Sequence, residues 1–402
     1  MHLSLLVLLF GGLIVAAILL KTWLSRIGIP PMIGYLALGL ALRIIADQTG
    51  MLSKEGEEVV HFLAQIGVIT LLFRVGLESH LSGLLKQLRS ASFIWIFNII
   101  ISGAIGYAAA YYLLGLPFLS SLVIAVAMTA TSVGIPAKVW SDEKKLDTPQ
   151  GELFLDVAEL DDVSGVVLMS LLFSILPVLQ SGSGDGGLLA VTMKNLGLFV
   201  LKLVGFAGAC FLFSNYLEER FTGYLRKKES GPDLMLVVAG TGVVIAAVAG
   251  LLGFSAAIGA FFAGLAFSRD PQRVKVDAAF SSIYDLFTPF FFIGIAMRMA
   301  PSAMSSSMLL ALLVLLIAAV AGKIIGTCLP AWRSLGTAGA LLLGVSMIPR
   351  AEITMLIMQR AHESSGGVIS ENIYSAMILV SAITCVTVPF LLRRKIQKLQ
   401  TE

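Results

Sequence analysis

Runs of apolar residues about 17 to 25 long, separated by short polar segments, recur along the whole chain, the length needed to cross a bilayer as a helix. Residues 3–21, 28–46, 58–78, 91–114, 117–140, 151–179, 188–214, 232–252, 254–268, 278–299, 304–328, 335–360 and 371–392 each read as a span, with the ninth short. The pattern predicts an all-α polytopic membrane protein of about 13 transmembrane helices.

Basic residues are distributed unevenly between the loops. Those after odd-numbered spans hold Lys21, Arg26, Lys86, Arg89, Lys138, Lys144, Lys145, Arg220, Arg226, Lys227, Lys228, Arg269, Arg273, Lys275, Arg333, Arg393, Arg394, Lys395 and Lys398. Loops after even-numbered spans hold little beyond Arg43, Lys54, Arg298 and Arg360. Because basic loops stay cytoplasmic, the N-terminus is expected outside and the C-terminus inside, which requires an odd span count. No Lys or Arg precedes the run Leu3 to Leu20, so it reads as a retained first helix rather than a signal peptide. The sequence stops ten residues past the last span, and no appended nucleotide-binding or regulatory domain is expected.

Two spans carry helix-breaking residues at matching places. The fifth contains Thr129-Ala-Thr-Ser-Val-Gly-Ile-Pro136, and the twelfth contains Gly344-Val-Ser-Met-Ile-Pro349 followed by Arg350. Spans four to six correspond to spans eleven to thirteen at an offset of seven, which reverses orientation. Paired interrupted helices in inverted repeats are the mark of a secondary transporter, where they cross near the midplane and line the ion site. An ordinary proline kink would explain one such span, but not two in corresponding positions beside buried charges.

Composition agrees with the span pattern. The 402 residues are 57% hydrophobic and 13% charged, against about 25% charged in a soluble chain. A net charge of +3 without a basic tract argues against nucleic acid. Cys210, Cys328 and Cys385 lie in apolar runs without metal-ligand spacing, and read as reduced buried residues. No nucleophile and base pair or phosphate loop suggests an enzyme, and no cofactor is expected.

The chemistry concentrates in span six, where Asp161 and Asp162 adjoin each other. A carboxylate at membrane depth costs about 3 kcal/mol on insertion scales and is a functional-site hypothesis by default. Successive helical residues project about 100° apart, so the two cannot face one neighbour and their jobs should differ. One can be held by a basic residue while the other faces a cavity and trades a proton for a cation. Lys323, alone among apolar residues in span eleven, is either a snorkelling lysine or the ion-pair partner of Asp161. Arg350 and Glu352 point roughly opposite ways and suit compensation of half-helix ends at the crossover. The hydroxyls of Thr129, Thr131 and Ser132 are hard oxygen ligands for a small alkali cation, unless they bond back to their own backbone. Glu152, Asp156 and Glu159 continue an acidic stripe down span six, and Asp156 and Glu159 are expected to line a cation-attracting cytoplasmic funnel. Glu78 and Lys202 read as interfacial, Arg74 and Asp285 need partners that the sequence does not name, and His2, His61, His80 and His362 fall near span ends.

The chain resembles the bacterial monovalent cation:proton antiporter-2 family, within the cation/proton antiporter superfamily. The resemblance covers nearly the whole chain. It rests on Leu71-Leu-Phe-Arg-Val-Gly-Leu-Glu78, Thr129-Ala-Thr-Ser-Val-Gly134, Glu159-Leu-Asp-Asp162, Gly253-Phe-Ser-Ala-Ala-Ile-Gly-Ala-Phe-Phe-Ala-Gly264, Pro289-Phe-Phe-Phe-Ile-Gly294, Lys323-Ile-Ile-Gly326 and Arg350-Ala-Glu352. It implies a thirteen-helix elevator fold in a homodimer. Residues 1–90 and 180–303 would form the dimerisation part, 91–179 and 304–392 the mobile core, and 393–402 a cytoplasmic tail. Asp162 would be the ion- and proton-binding carboxylate that takes Na⁺, and Asp161 the partner of Lys323. Electroneutral members usually carry Asn, and potassium-efflux types Gln, where this chain has Asp161. The resemblance therefore implies electrogenic exchange of Na⁺ or Li⁺ for H⁺ across the inner membrane, with K⁺/H⁺ exchange as the alternative and a sodium-coupled organic-anion symporter behind it. Arg74 stands where the family is usually apolar, and Ala351 replaces the glycine of an Arg-Gly-Glu pattern.

Overall fold

The computed structural model describes residues 3–49, 52–78, 81–146, 148–180, 188–218, 220, 231–252, 254–268, 273–299, 305–364 and 367–398. Among these, the regular elements are helices: α1 (Leu3–Arg26), α2 (Pro31–Thr49), α3 (Lys54–Glu78), α4 (Leu81–Ala108), α5 (Phe118–Thr129), α6 (Gly134–Asp142), α7 (Pro149–Gln180), α8 (Leu188–Leu212), α9 (Gly231–Leu251), α10 (Ala256–Phe267), α11 (Arg273–Met297), α12 (Ser306–Ser346), α13 (Glu352–Glu363) and α14 (Glu371–Lys398). Single π-helical turns continue α4 through Ala109–Leu113 and α8 through Phe213–Leu217.

Ten of the described stretches are long and apolar enough to cross a membrane. Two shorter apolar helices, Leu236–Leu251 and Ala256–Phe267, occupy the places of the eighth and ninth expected spans. The eleventh expected span and the first part of the twelfth lie within α12, which is two helices meeting at a kink, and the polar segment after the eleventh is itself helical up to that kink. Its one non-helical residue is Gly336, with φ 67° and ψ 179°. That backbone is open to glycine and strained for other residues, so the turn from one span into the next is placed there.

Both expected interruptions are present, and proline explains their position. Pro136 in the first turn of α6 has no N–H to offer the Ser132 carbonyl, and the chain is non-helical from Ala130 to Ser132. Pro349 likewise cannot bond Val345, and residues 347–351 separate α12 from α13.

The chain divides into two compact units. One comprises Met1–Arg26, Gly34–Gly83 and Phe173–Met297. In it α3 packs along α10 and α11, and α9 along α10. Phe10 of α1 stacks on Phe290 of α11 at 5.3 Å between ring centroids. The partners missing from the sequence are here: Asp285 pairs with Lys21 at 2.6 Å, and the Arg74 guanidinium lies 4.3 Å over the Tyr284 ring. Lys202 is exposed and donates to the Leu252 carbonyl at 3.2 Å. His61 is half-buried in α3, whereas His2 and His80 lie outside the described residues.

The other unit comprises Ile27–Ile33, Leu84–Leu172 and Arg298–Glu402. Its α14 packs against α12 and α6, while α13 packs against α5. Trp140, Phe154, Val157, Ala158, Met347 and Leu392 belong to its apolar core, with Trp140 stacked on Phe154. His362 stacks on Tyr374 and bonds the Ile369 carbonyl.

Candidate functional site

The two interrupted helices meet at their breaks. The Ser132 N–H donates to the Pro349 carbonyl at 2.7 Å, and the Thr131 hydroxyl lies 3.3 Å from the Met347 carbonyl. Thr354 of α13 donates to the Ala127 carbonyl of α5 at 3.0 Å, and Trp140 of α6 to Ser346 of α12 at 3.0 Å. Each half-helix therefore satisfies polar groups that the other's break would leave unbonded. In a membrane interior those groups have no water to turn to.

Arg350 lies between these elements and is fully buried. Its guanidinium donates to the carbonyls of Met128, Ala130 at 2.9 Å and Ala319 at 3.2 Å. Two of these carbonyls are at the C-terminal end of α5, where the helix dipole is negative and a cation is favoured. The Arg350 backbone is fixed too, with its N–H bonded to Thr384 and its carbonyl accepting from Cys385.

Asp161 is 1% exposed. The Asn98 amide donates to its Oδ1 at 2.9 Å, while Thr131 Oγ1 and Lys323 Nζ donate to its Oδ2 at 2.5 and 2.8 Å. Three donors converge on this carboxylate, which suits an ionised acceptor and not a protonated one. Lys323 is fully buried, so it does not snorkel, and it also donates to the Thr129 carbonyl at the end of α5.

Asp162 is half-buried and lies on another face of α7. Phe154, Val157, Ala158 and Asp161, at helical spacing, form the buried face. Glu152 is exposed and Asp156, Glu159 and Asp162 are half-buried, so the acidic residues run up the less buried face. Burial on α7 thus separates two residues that are equivalent in type.

The hydroxyls differ in the same way. Thr129 bonds back to the Val126 carbonyl at 2.8 Å, which commits its hydroxyl to its own helix. Thr131 donates to Asp161, and Ser132 Oγ lies 3.3 Å from Glu352 Oε2. The structure thus brings Thr131, Asp161, Lys323, Ser132 and Glu352 to one crossover, with Thr129 present through its carbonyl.

Asn98 went unnoticed in the sequence. It is a fully buried amide in an apolar helix, and the rule that singled out the aspartates applies to it with less force.

Comparisons with known proteins agree with this architecture. The Na⁺/H⁺ antiporter of Enterococcus hirae is 29% identical over 374 residues, covering 92% of each chain. The Na⁺/H⁺-K⁺ antiporter GerN of Bacillus cereus is 27% identical over 387 residues, covering 94% of each. The fold is similar to that of the sodium proton antiporter MjNhaP1 from Methanocaldococcus jannaschii, with a TM-score of 0.71 at 15% identity, over 98% of this chain and 96% of that one. The profile of the transmembrane sodium/hydrogen exchanger family matches residues 13–394, and the chain belongs to that family of monovalent cation/proton antiporters.

Proposed function

We propose that the protein exchanges Na⁺ or Li⁺ for H⁺, with Asp162 as the carboxylate for which cation and proton compete. The observation that carries this assignment is the contrast within α7: Asp161 is held by three donors, whereas Asp162 occupies the half-buried acidic face. Asp156 and Glu159 attract cations along that face. Asp161 and Lys323 form a counter-ion pair whose breaking lets the lysine give up a proton, which makes the cycle electrogenic.

The unit carrying the crossover moves against the other in an elevator-type cycle of a thirteen-span protein. Loaded states move, and an empty charged site is held back by the cost of desolvating it. The protein works as a homodimer in the bacterial inner membrane, N-terminus outside and C-terminus inside. Resemblance to the Na⁺/H⁺ antiporter of Enterococcus hirae supports Na⁺ as cargo. K⁺/H⁺ exchange is the second reading, and the name of GerN, a Na⁺/H⁺-K⁺ antiporter, includes K⁺ among that protein's ions.

Exchange in proteoliposomes with Na⁺, Li⁺ and K⁺ tests the assignment. Asp162→Asn abolishes cation-driven proton movement for every ion, while the variant purifies with a wild-type unfolding midpoint. Normal exchange by Asp162→Asn would overturn it.

A further inference from the structure

The role of α4 follows from a polar stripe within its membrane-length apolar stretch, Ala91–Leu113. Trp95, Asn98 and Ser102 are spaced by three and four residues, so they share one face. Trp95 Nε1 donates to Ser164 Oγ at 3.1 Å, and Ser164 donates to the Asp161 backbone carbonyl at 2.9 Å. Asn98 Nδ2 donates to Asp161 Oδ1 at 2.9 Å, and Ser102 Oγ donates to Asn98 Oδ1 at 3.2 Å. The serine occupies the amide's acceptor end and so turns the donor end toward the carboxylate.

Close approach of α12 makes this geometry possible. A Cβ at Gly326 would stand 3.0 Å from Asn98 Cα, and one at Gly322 would stand 3.1 Å from Ser102 Cα. The two glycines flank Lys323, so α4 and the lysine reach Asp161 together. Lys323 and Thr131 both donate to Oδ2, and Asn98 is the one donor assigned to Oδ1 among the described bonds.

We infer that Asn98, oriented by Ser102, is a specificity-determining positioning residue that keeps the Asp161 carboxylate from turning toward the cation held at Asp162. This rests on the exchange function proposed above. When Lys323 parts from Asp161, Thr131 sits on an interrupted segment, whereas Asn98 sits on a continuous helix and still anchors Oδ1. Without that anchor, a second charged oxygen can join the cation site. A site with a mobile extra carboxylate discriminates less sharply by ion size, because fixed ligand number and rigidity are what separate similar cations.

The experiment is proteoliposome exchange with Na⁺ and K⁺, measured as maximal rate and half-saturating concentration for each. Asn98→Leu and Asn98→Val each remove the donor and put no polar group in its place. Both are expected to lower the Na⁺ over K⁺ preference by about tenfold, the size of losing one hydrogen bond to a charged group. Ser102→Ala lowers it in the same direction and less, and Ser102→Thr, which keeps the hydroxyl, restores it. A folding defect would reduce both rates together and leave the ratio alone. A preference within twofold of wild type in both Asn98 variants would overturn the proposal, and if these do not fold, an unmoved ratio in Ser102→Ala does so. Absence of exchange by wild type with any of Na⁺, Li⁺ and K⁺ would sink the functional reading instead. In that event, unfolding midpoints of Asn98→Leu, Asp161→Asn and the double variant still test the contact, and strict additivity overturns it.

Discussion

Replacing Lys323 with Met should destabilise the protein sharply, and adding Asp161→Asn should reverse most of the loss. Both side chains are wholly buried, with Nζ 2.8 Å from Oδ2. At that separation, with an effective dielectric constant of about 20, their Coulomb attraction is about 6 kcal/mol. Met fills similar volume but leaves Asp161 charged, and Asn98 and Thr131 still donate to it. The net loss should therefore be about 3–5 kcal/mol, the usual cost of orphaning one member of a buried pair. Asn at 161 removes the orphaned charge and still accepts from Asn98 or Thr131. The double variant should accordingly return to within about 1.5 kcal/mol of wild type, since replacing a buried pair by neutral groups is often close to neutral. Thermal unfolding of the purified protein in detergent is the assay. Lys323→Met should lower the midpoint by about 6–10 °C, taking roughly 2 °C per kcal/mol for a large chain. A drop of under 1 °C for Lys323→Met, or a double variant less stable than either single, would refute the buried-pair account.

Three further outcomes follow from the same geometry. Arg350→Lys should lower the unfolding midpoint because a shorter side chain ending in one nitrogen cannot reproduce the two-nitrogen fork that reaches carbonyls at the end of α5 and on α12, each orphaned buried group costing about 1–3 kcal/mol, and Arg350→Ala should lower it further. Asp156→Asn with Glu159→Gln should raise the half-saturating Na⁺ concentration severalfold with little change in maximal rate, an effect that shrinks as inert salt is added; an unchanged value at low ionic strength would refute the funnel. Lys21→Ala should cost less than about 1 kcal/mol in the same unfolding assay, although its 2.6 Å bond to Asp285 is shorter than the Lys323 contact, because both partners are about 40% exposed.

The helical class and the two interruptions were readable because each has a strong local cause: apolar runs of membrane length, and prolines that cannot donate. Asp161 and Asp162 were readable as improbable charges. Their division of labour was readable only as a necessity, since a helix must turn them apart, while the face that would be buried depends on what packs there. Asn98 was missed because an amide is a weaker anomaly than a carboxylate, and its partner lies 63 residues away. The exact place of the break within α12 was missed for a related reason. A polar segment such as Arg333-Ser334 looks like a loop, and the break itself is carried by Gly336, which reads as an ordinary helix glycine until its φ is seen. Lys21 and Asp285 found each other across 264 positions, a pairing that no local pattern encodes.

The crossover and the buried charges depend on each other. Interrupting two helices in an apolar medium exposes carbonyls at the end of α5, and these need positive donors that stay in place. Arg350 and Lys323 supply them, each donating to α5 carbonyls. Two buried cations in turn need a counter-charge, and Asp161 is the acidic group that Lys323 reaches. A single carboxylate so committed has no capacity left to exchange ligands. A second carboxylate, one residue later and about 100° round the helix, lies on another face of α7 and is half-buried. One full turn further along α7 the chain is wholly buried at Val166, where a carboxylate would lose that partial exposure. An Asp162→Asn, Val163→Asp pair, which shifts the carboxylate by one position among the half-buried residues of α7, turns it about 100° round the helix from the place proposed for the carrier. It should therefore not restore exchange in proteoliposomes, and recovery of Na⁺-driven proton movement by that pair would refute the dependence on position.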